Sequence, residues 1–137
     1  MSIFNCCCQD QKFLIYINGA DEDKELFLNE VFGIKLKDLS FSEYKVTIEG
    51  VIVYLQVLRN QKDMSSVHDM HLNMANGVIF LQSHDQKVNT NKKSLIVLMN
   101  GKSRMENEGN VIVSSVINGN FNESKQGVNE LVKMIKQ

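Results

Sequence analysis

Residues 12–32, KFLIYINGADEDKELFLNEVF, constrain the fold more than any other part of the chain. The apolar run at 13–17 is rich in β-branched and aromatic residues, which is typical of a strand buried on both faces. The turn signal Asn18-Gly19 follows. Acidic residues at 21–23 suit the start of a helix, because carboxylates interact favourably with the positive end of its dipole. The stretch therefore predicts a strand, a short loop and a helix over 24–32, the local frame in which phosphate-binding loops occur.

Polar and turn-forming segments separate the other apolar runs of the sequence. Residues 44–48 and 51–58, joined by Glu49-Gly50, predict an antiparallel hairpin. Periodicity and apolar runs predict further strands and two further helices, the strands at 78–81, 95–99 and 111–113 and the helices at 64–75 and 127–136. The methionines of 64–75 recur at helical spacing and are predicted to pack in the core, since Met fills irregular gaps. Asn76-Gly77 is predicted to cap the end of that helix.

The resulting order of elements, β-α-β-β-α-β-β-β-α, predicts an α/β fold. Because most of the short strands are continuously apolar, we expect three layers around a mainly parallel sheet of about six strands, with one antiparallel edge strand. The predicted organisation is a flexible N-terminal arm at 1–11 and a single α/β domain at 12–137.

Composition and charge exclude several classes of protein. The net charge is −1 and no basic face stands out, so nucleic acid is not an expected partner. No apolar run reaches the roughly 18 residues of a membrane helix, and no secretory signal is recognisable. The sequence therefore predicts a cytoplasmic protein.

All three cysteines are adjacent, at Cys6, Cys7 and Cys8. Adjacent cysteines cannot staple a fold, which excludes a disulfide framework and indicates a reducing intracellular setting. They also cannot wrap around a zinc ion. Two alternatives remain for the cluster: S-acylation that places the protein peripherally on a membrane, or unmodified thiols in a disordered terminus.

Four segments are similar, in order and spacing, to segments of the Ras-like small GTPases. Residues 75–80 (ANGVIF) look like the entry to the family's fourth strand, 95–100 (LIVLMN) like the strand before N-K-x-D, 113–120 (VSSVINGN) like the stretch around S-A-K, and 129–135 (NELVKMI) like the closing helix. The resemblance implies a small-GTPase-like fold. Its crossovers are shortened, because 83–93 and 101–110 leave little room for the family's two helices.

The phosphate-binding motif of that family is largely lost. The motif G-x-x-x-x-G-K-[ST] needs glycines that expose backbone N–H groups, a lysine for the phosphates and a hydroxyl for Mg²⁺. Aligned on Lys24, the first glycine position holds Asn18, the second holds Asp23, and the hydroxyl position holds Glu25. Acidic residues at 21–23 would also repel a polyphosphate. We therefore predict that Lys24 is an ordinary solvated helix lysine.

The positions implied to bind the metal and the guanine ring also depart from the family. Arg59 stands where D-x-x-G has its Mg²⁺-binding Asp. Asn100 matches the first position of N-K-x-D, but Gly101 and Ser103 replace its Lys and Asp, while Ser115 matches the Ser of S-A-K. Loss of the acidic residue that binds guanine removes paired hydrogen bonds and with them nucleotide specificity.

These departures favour a pseudo-GTPase over an enzyme. On that hypothesis the chain is a catalytically inactive, small-GTPase-like domain without a cofactor, acting as a protein-binding or structural subunit of a larger intracellular assembly. One alternative is a divergent small GTPase that still binds GTP or GDP with Mg²⁺ through Lys24, Asn100 and Ser115. The other is an unrelated α/β adaptor module.

Two histidines form the remaining candidate for a site. His68 and His71 lie three residues apart on a predicted helix and could share a metal ion, but no third ligand has a suitable spacing. They are predicted to be histidines of the helix surface, and no metal site is expected.

Overall fold

The computed structural model describes residues 12–60, 65–83, 86, 88, 90–101 and 106–137 of the 137-residue chain. The strands of its sheet lie in the order β2-β3-β1-β4-β5-β6. Their bounds are Phe13–Asn18 (β1), Phe41–Ile48 (β2), Val51–Leu58 (β3), Gly77–Gln82 (β4), Lys93–Leu98 (β5) and Val111–Ser115 (β6). The described helices are Asp21–Phe27 (α1), which continues as a π-helical segment Leu28–Phe32, Ser65–Met74 (α2) and Asn122–Lys136 (α3).

The predicted fold class is confirmed. Strand β2 pairs antiparallel with β3 along its whole length, and every other pairing in the sheet is parallel. The hairpin turns at Glu49 and Gly50, whose φ angles are 52° and 74°. A two-residue turn with both φ values positive matches the twist of the two strands, which explains the tight connection.

The first face of the sheet carries the main core. Ile15 and Ile17 of β1 point to this face and are almost fully buried, together with Phe27 of α1 and Leu131 of α3. Helix α3 presents a buried stripe at helical spacing, so its packing follows directly from its sequence. Helices α1 and α3 are therefore the layer that covers this face.

The second face is covered, in the described part of the chain, by α2. Tyr16 and Val78 of the sheet cluster there with the half-buried Val67 and Leu72 of the helix. The prediction that the methionines of this helix pack in the core is wrong for the described ones, since Met70 and Met74 are 50% and 62% exposed. Val67 shares a helical stripe with these methionines, but the helix is rotated so that Val67 and Leu72 face the sheet and the methionines do not.

Several helix boundaries differ from those predicted. Helix α1 begins at Asp21 rather than at residue 24, and α3 begins at Asn122 rather than at 127. Gly77 is not a helix cap but the first residue of β4, where a Cβ atom would lie 2.6 Å from Cδ1 of Ile135. A glycine at this point allows α3 to approach the sheet closely. No helix in the described residues is long and apolar enough to cross a membrane.

A substitution of Gly19, in the loop between β1 and α1, would test how tightly this loop packs against β4. The φ of Gly19 is +152°, and an added Cβ would lie 2.8 Å from Cβ and 2.9 Å from the carbonyl oxygen of Leu81. We expect Gly19→Ala to lower the free energy of unfolding by about 3 kcal/mol, because strain and overpacking add. Gly33 has φ +66° with open space around it, so Gly33→Ala should lose only about 1 kcal/mol. Urea unfolding measures both, and equal losses would contradict the close contact with Leu81.

Candidate functional site

The predicted nucleotide-binding residues lie at the carboxyl ends of parallel strands or in the helix that follows one of them. Asn18 ends β1, and Asp23, Lys24 and Glu25 follow in α1. Ser115 ends β6 beside Leu98 of β5, and Asn100 lies two residues beyond that strand. Strand β4 separates β1 from β5, so at about 4.8 Å per strand spacing β5 lies about 10 Å and β6 about 14 Å from β1. Crevices at this edge are the usual ligand sites of α/β sheets.

Lys24 is buried, with 1% of its side chain exposed. Its ammonium donates a hydrogen bond of 2.5 Å to the carbonyl oxygen of Leu58, the last residue of β3. It also forms an ion pair of 3.0 Å with Oδ1 of Asp21, one helical turn earlier. The prediction of a solvated lysine is therefore wrong, because the charge has two partners inside the protein that together replace its water.

Asp21 is the centre of the hydrogen bonds around this lysine. Its Oδ1 accepts a bond of 3.0 Å from the backbone N–H of Asn60, whose side-chain amide donates to the Gly19 carbonyl oxygen at 2.9 Å. Burial raises the pKa of Asp21, but the hydrogen bonds from Asn60 and Lys24 and the charge of Arg59 outweigh it. The pKa of this carboxyl consequently lies below its usual value of 3.8.

Arg59 forms the second ion pair of the site. Its guanidinium lies 3.1 Å from Oε1 of Glu25 and donates bonds of 3.2 and 3.1 Å to the carbonyl oxygen of Lys37. The Asp38 carboxylate is farther away, at 3.9 Å, and fully exposed. Arg59 therefore connects α1 to the segment before β2. We refer to Asp21, Lys24, Glu25 and Arg59 together as the internal ion-pair cluster.

In the internal ion-pair cluster, the charged groups that could contact a phosphate or a metal ion contact each other instead. The ammonium of Lys24 is satisfied by a carboxylate, and the carboxylate of Glu25 by a guanidinium. Asp23, in the place of the second glycine, lies in the first turn of α1. The charges of the cluster are thus paired with one another within the chain.

The positions matched to the guanine-binding motifs lie around a different set of contacts. The backbone N–H of Ser115 donates a bond of 3.1 Å to Oε1 of Glu123, in the first turn of α3. Beside it is a cavity of about 480 Å³, lined by Ser115, Ile117, Asn118, Asn120, Asn122 and Glu123. Asn100 is exposed and does not line this cavity. The structure therefore places Ser115, but not Asn100, against an open space.

The two histidines of α2 face the sheet, so the prediction of plain surface histidines is wrong. His71 stacks on Phe41 and Tyr16, with ring centroids 4.7 and 5.9 Å away. Nδ1 of His68 lies 2.7 Å from the Tyr16 hydroxyl. Burial, with a smaller contribution from the charge of Asp69, raises the pKa of Tyr16 to about 12, so the phenol stays protonated and can donate this bond. The described residues contain no cluster of three or more potential metal ligands.

Sequence reasoning missed the role of Asp21, although a signal for it was present. Asp21 and Lys24 lie three positions apart on one helix, a spacing at which opposite charges meet. The contacts of Leu58 and Asn60 with this pair depend on how β3 packs beside α1, which no local pattern encodes. The comparisons with known proteins add no assignment: no family model matches the chain, and no curated protein is significantly similar to it.

Replacing Lys24 should cost far more stability than replacing a surface lysine. Lys24→Met leaves the Asp21 carboxylate and the Leu58 carbonyl without their partner, and we expect a loss of about 3 kcal/mol in the free energy of unfolding. Lys133→Met is the matched control, since Lys133 forms an exposed ion pair of 3.7 Å with Glu49. That change should stay within about 0.5 kcal/mol. Two equally small losses in urea unfolding would contradict the buried pairing.

The lowered pKa of Asp21 makes part of the stability dependent on pH. Because the folded pKa lies below 3.8, the contribution of the charged carboxylate is present above that pH and is lost as the pH falls through the folded pKa. We expect Asp21→Asn to be less stable than the wild type near neutral pH and to approach it below about pH 3.8. Urea unfolding at several pH values measures this, with Asp38→Asn as the control. A stability difference independent of pH would contradict the prediction.

Proposed function

We propose that this chain is a catalytically inactive, small-GTPase-like domain that acts by binding other proteins, as a subunit of a larger intracellular assembly. The observation that supports the proposal most is the contact between Lys24 and Asp21. The resemblance assigns Lys24 to the phosphates of a nucleotide, and here a carboxylate of the same chain lies 3.0 Å from its ammonium. The anion that this lysine binds belongs to the protein itself.

A nucleotide would have to displace that carboxylate to reach Lys24. The displaced Asp21 would remain on the same helical turn, close to the incoming phosphates, and like charges at such a distance repel each other. The phosphates would also have to compete for the ammonium with the buried Leu58 carbonyl. The repulsion by Asp21 and the competition with the Leu58 carbonyl both oppose nucleotide binding. The sequence has no glycine-rich loop that would compensate for them.

The place of the metal ion supports the same proposal. Mg²⁺ needs oxygen ligands, and the resemblance assigns one of them to the position of Arg59. A guanidinium there repels a cation, and it also occupies the nearest carboxylate, Glu25, at 3.1 Å. Hydrolysis of a nucleotide without a metal to neutralise its phosphates would be slow.

A divergent small GTPase is the alternative, with the cavity beside Ser115 as the observation in its favour. An open space of about 480 Å³ at this edge of the sheet has the size of a small-molecule pocket. Nucleotide binding through Lys24, Asn100 and Ser115 would still require the ammonium of Lys24 to leave Asp21. An unrelated α/β adaptor module would have the same sheet but no relation to nucleotides.

Peripheral attachment to a membrane stays a prediction from the sequence. Cys6, Cys7 and Cys8, the candidates for S-acylation, lie outside the described residues. The proposal of a protein-binding domain does not depend on whether they are acylated.

The proposal predicts that GTP with Mg²⁺ leaves the melting temperature of the wild-type protein unchanged. A ligand that binds the native state raises the melting temperature, so the absence of a shift at millimolar GTP measures the absence of binding. Chromatography of nucleotides released from the denatured, freshly purified protein should likewise yield neither GDP nor GTP. A shift in the wild type and in Lys133→Met that is lost in Lys24→Met would overturn the proposal and favour the divergent GTPase.

A further inference from the structure

The two edges of the sheet differ in how their main chains are satisfied. At the β6 edge, the Val113 N–H donates a bond of 2.6 Å to the side chain of Asn107, and Glu108 forms an antiparallel bridge with Val111. The chain thus covers this edge with its own residues. Strand β2 forms the opposite edge, and no described residue outside β3 makes a hydrogen bond to the main chain of its eight residues.

The hairpin determines which groups of β2 point outward. The Ser40 carbonyl accepts a bond of 2.9 Å from Arg59 N–H, so the main chain faces β3 at this even-numbered position. Groups facing the partner strand alternate along an antiparallel pair, and the pairing runs unbroken from Phe41 to the turn. The N–H and C=O groups that point away from β3 therefore belong to the odd-numbered residues of β2, which are Phe41, Glu43, Lys45 and Thr47.

We propose that the β2 edge binds a second copy of this chain, strand against antiparallel strand, with Tyr44 on the two-fold axis. Glu43 then lies opposite Lys45 of the second copy, and Phe41 lies opposite Thr47. Each of these pairs joins residues whose main-chain groups point away from β3, so about eight hydrogen bonds form across the axis. The two sheets become one continuous sheet with an isologous interface.

The charges on β2 favour this pairing register over the adjacent registers. Glu43 and Lys45 are both exposed and point to the same face of the sheet, and each meets the opposite charge of the second copy. An axis at Glu43 would place two carboxylates opposite each other, and an axis at Lys45 would place two ammonium groups opposite each other. A shift of the pairing register by one residue would place main-chain groups that point away from β3 opposite groups that point toward it. One oxygen of the Glu43 carboxylate, Oε2, accepts a bond of 2.9 Å from the amide of Gln56 on β3.

The charges also explain why this edge would bind only some extended chains and not others. Lysine on an edge strand discourages pairing with strands that offer it no partner. Here the repulsion is relieved by a strand with glutamate at the facing position, and β2 itself is such a strand. A single pair of strands buries little surface, below the roughly 1,200 Å² of standard interfaces, so the dimer should depend on protein concentration.

Sedimentation of the full chain between about 1 µM and about 1 mM tests the proposal. We expect a concentration-dependent dimer for the wild type. Glu43→Lys and Lys45→Glu each place like charges opposite each other twice, and each should weaken the dimer roughly tenfold or more. Lys125→Glu, a charge reversal at an exposed position of α3, is the control and should dimerise as the wild type does.

The decisive experiment mixes the two charge-reversed variants, Glu43→Lys and Lys45→Glu. In an equimolar mixture, two lysines on β2 of the Glu43→Lys chain face two glutamates on β2 of the Lys45→Glu chain. A heterodimer should therefore form although neither variant dimerises well alone. The double exchange Glu43→Lys with Lys45→Glu should restore the homodimer. A monomeric wild type, or single variants that dimerise like the wild type, would overturn the proposal. A mixture that stays monomeric would exclude this register and overturn it equally.

Discussion

The buried ammonium of Lys24 is the interaction on which the packing of α1 against the end of β3 depends. A charged group with 1% exposure is tolerated only where fixed partners replace its hydration, and these come from different parts of the chain. Asp21 lies in the first turn of α1, and the Leu58 carbonyl ends β3. Asn60 then binds both Asp21 and the Gly19 carbonyl. One positive charge thereby fixes the start of α1 against the end of β3.

Arg59 connects a further segment, the residues before β2, to α1 in the same way. Its bonds to Glu25 and to the Lys37 carbonyl connect α1, the end of β3 and residues 37–38 through a single side chain. In a nucleotide-dependent switch, such segments respond to a phosphate and a metal ion. Here the corresponding charges are paired within the chain.

The fold itself was largely predictable, because burial on both faces leaves a direct record in the sequence. Continuous apolar runs such as 95–99 identified parallel strands, and Glu49-Gly50 identified the antiparallel hairpin at the edge. The prediction for α2 was wrong because spacing does not fix how a helix is rotated over the sheet. Val67 shares a helical stripe with Met70 and Met74, but the helix over Tyr16 is turned so that Val67 and Leu72 face the sheet and the two methionines are exposed.

The sequence by itself determined the order of strands and helices, the absence of a phosphate-loop motif and the alternation of charge along β2, since each is a local property of neighbouring residues. Tertiary structure alone decided the state of Lys24. Its helix has both exposed and buried positions, and its second partner, the Leu58 carbonyl, lies 34 residues away. It also decided which strands form the edges of the sheet, because strand order depends on how connections cross and not on the strands' own composition. Local patterns fix what a residue prefers, whereas burial of a charge depends on partners that only folding brings together.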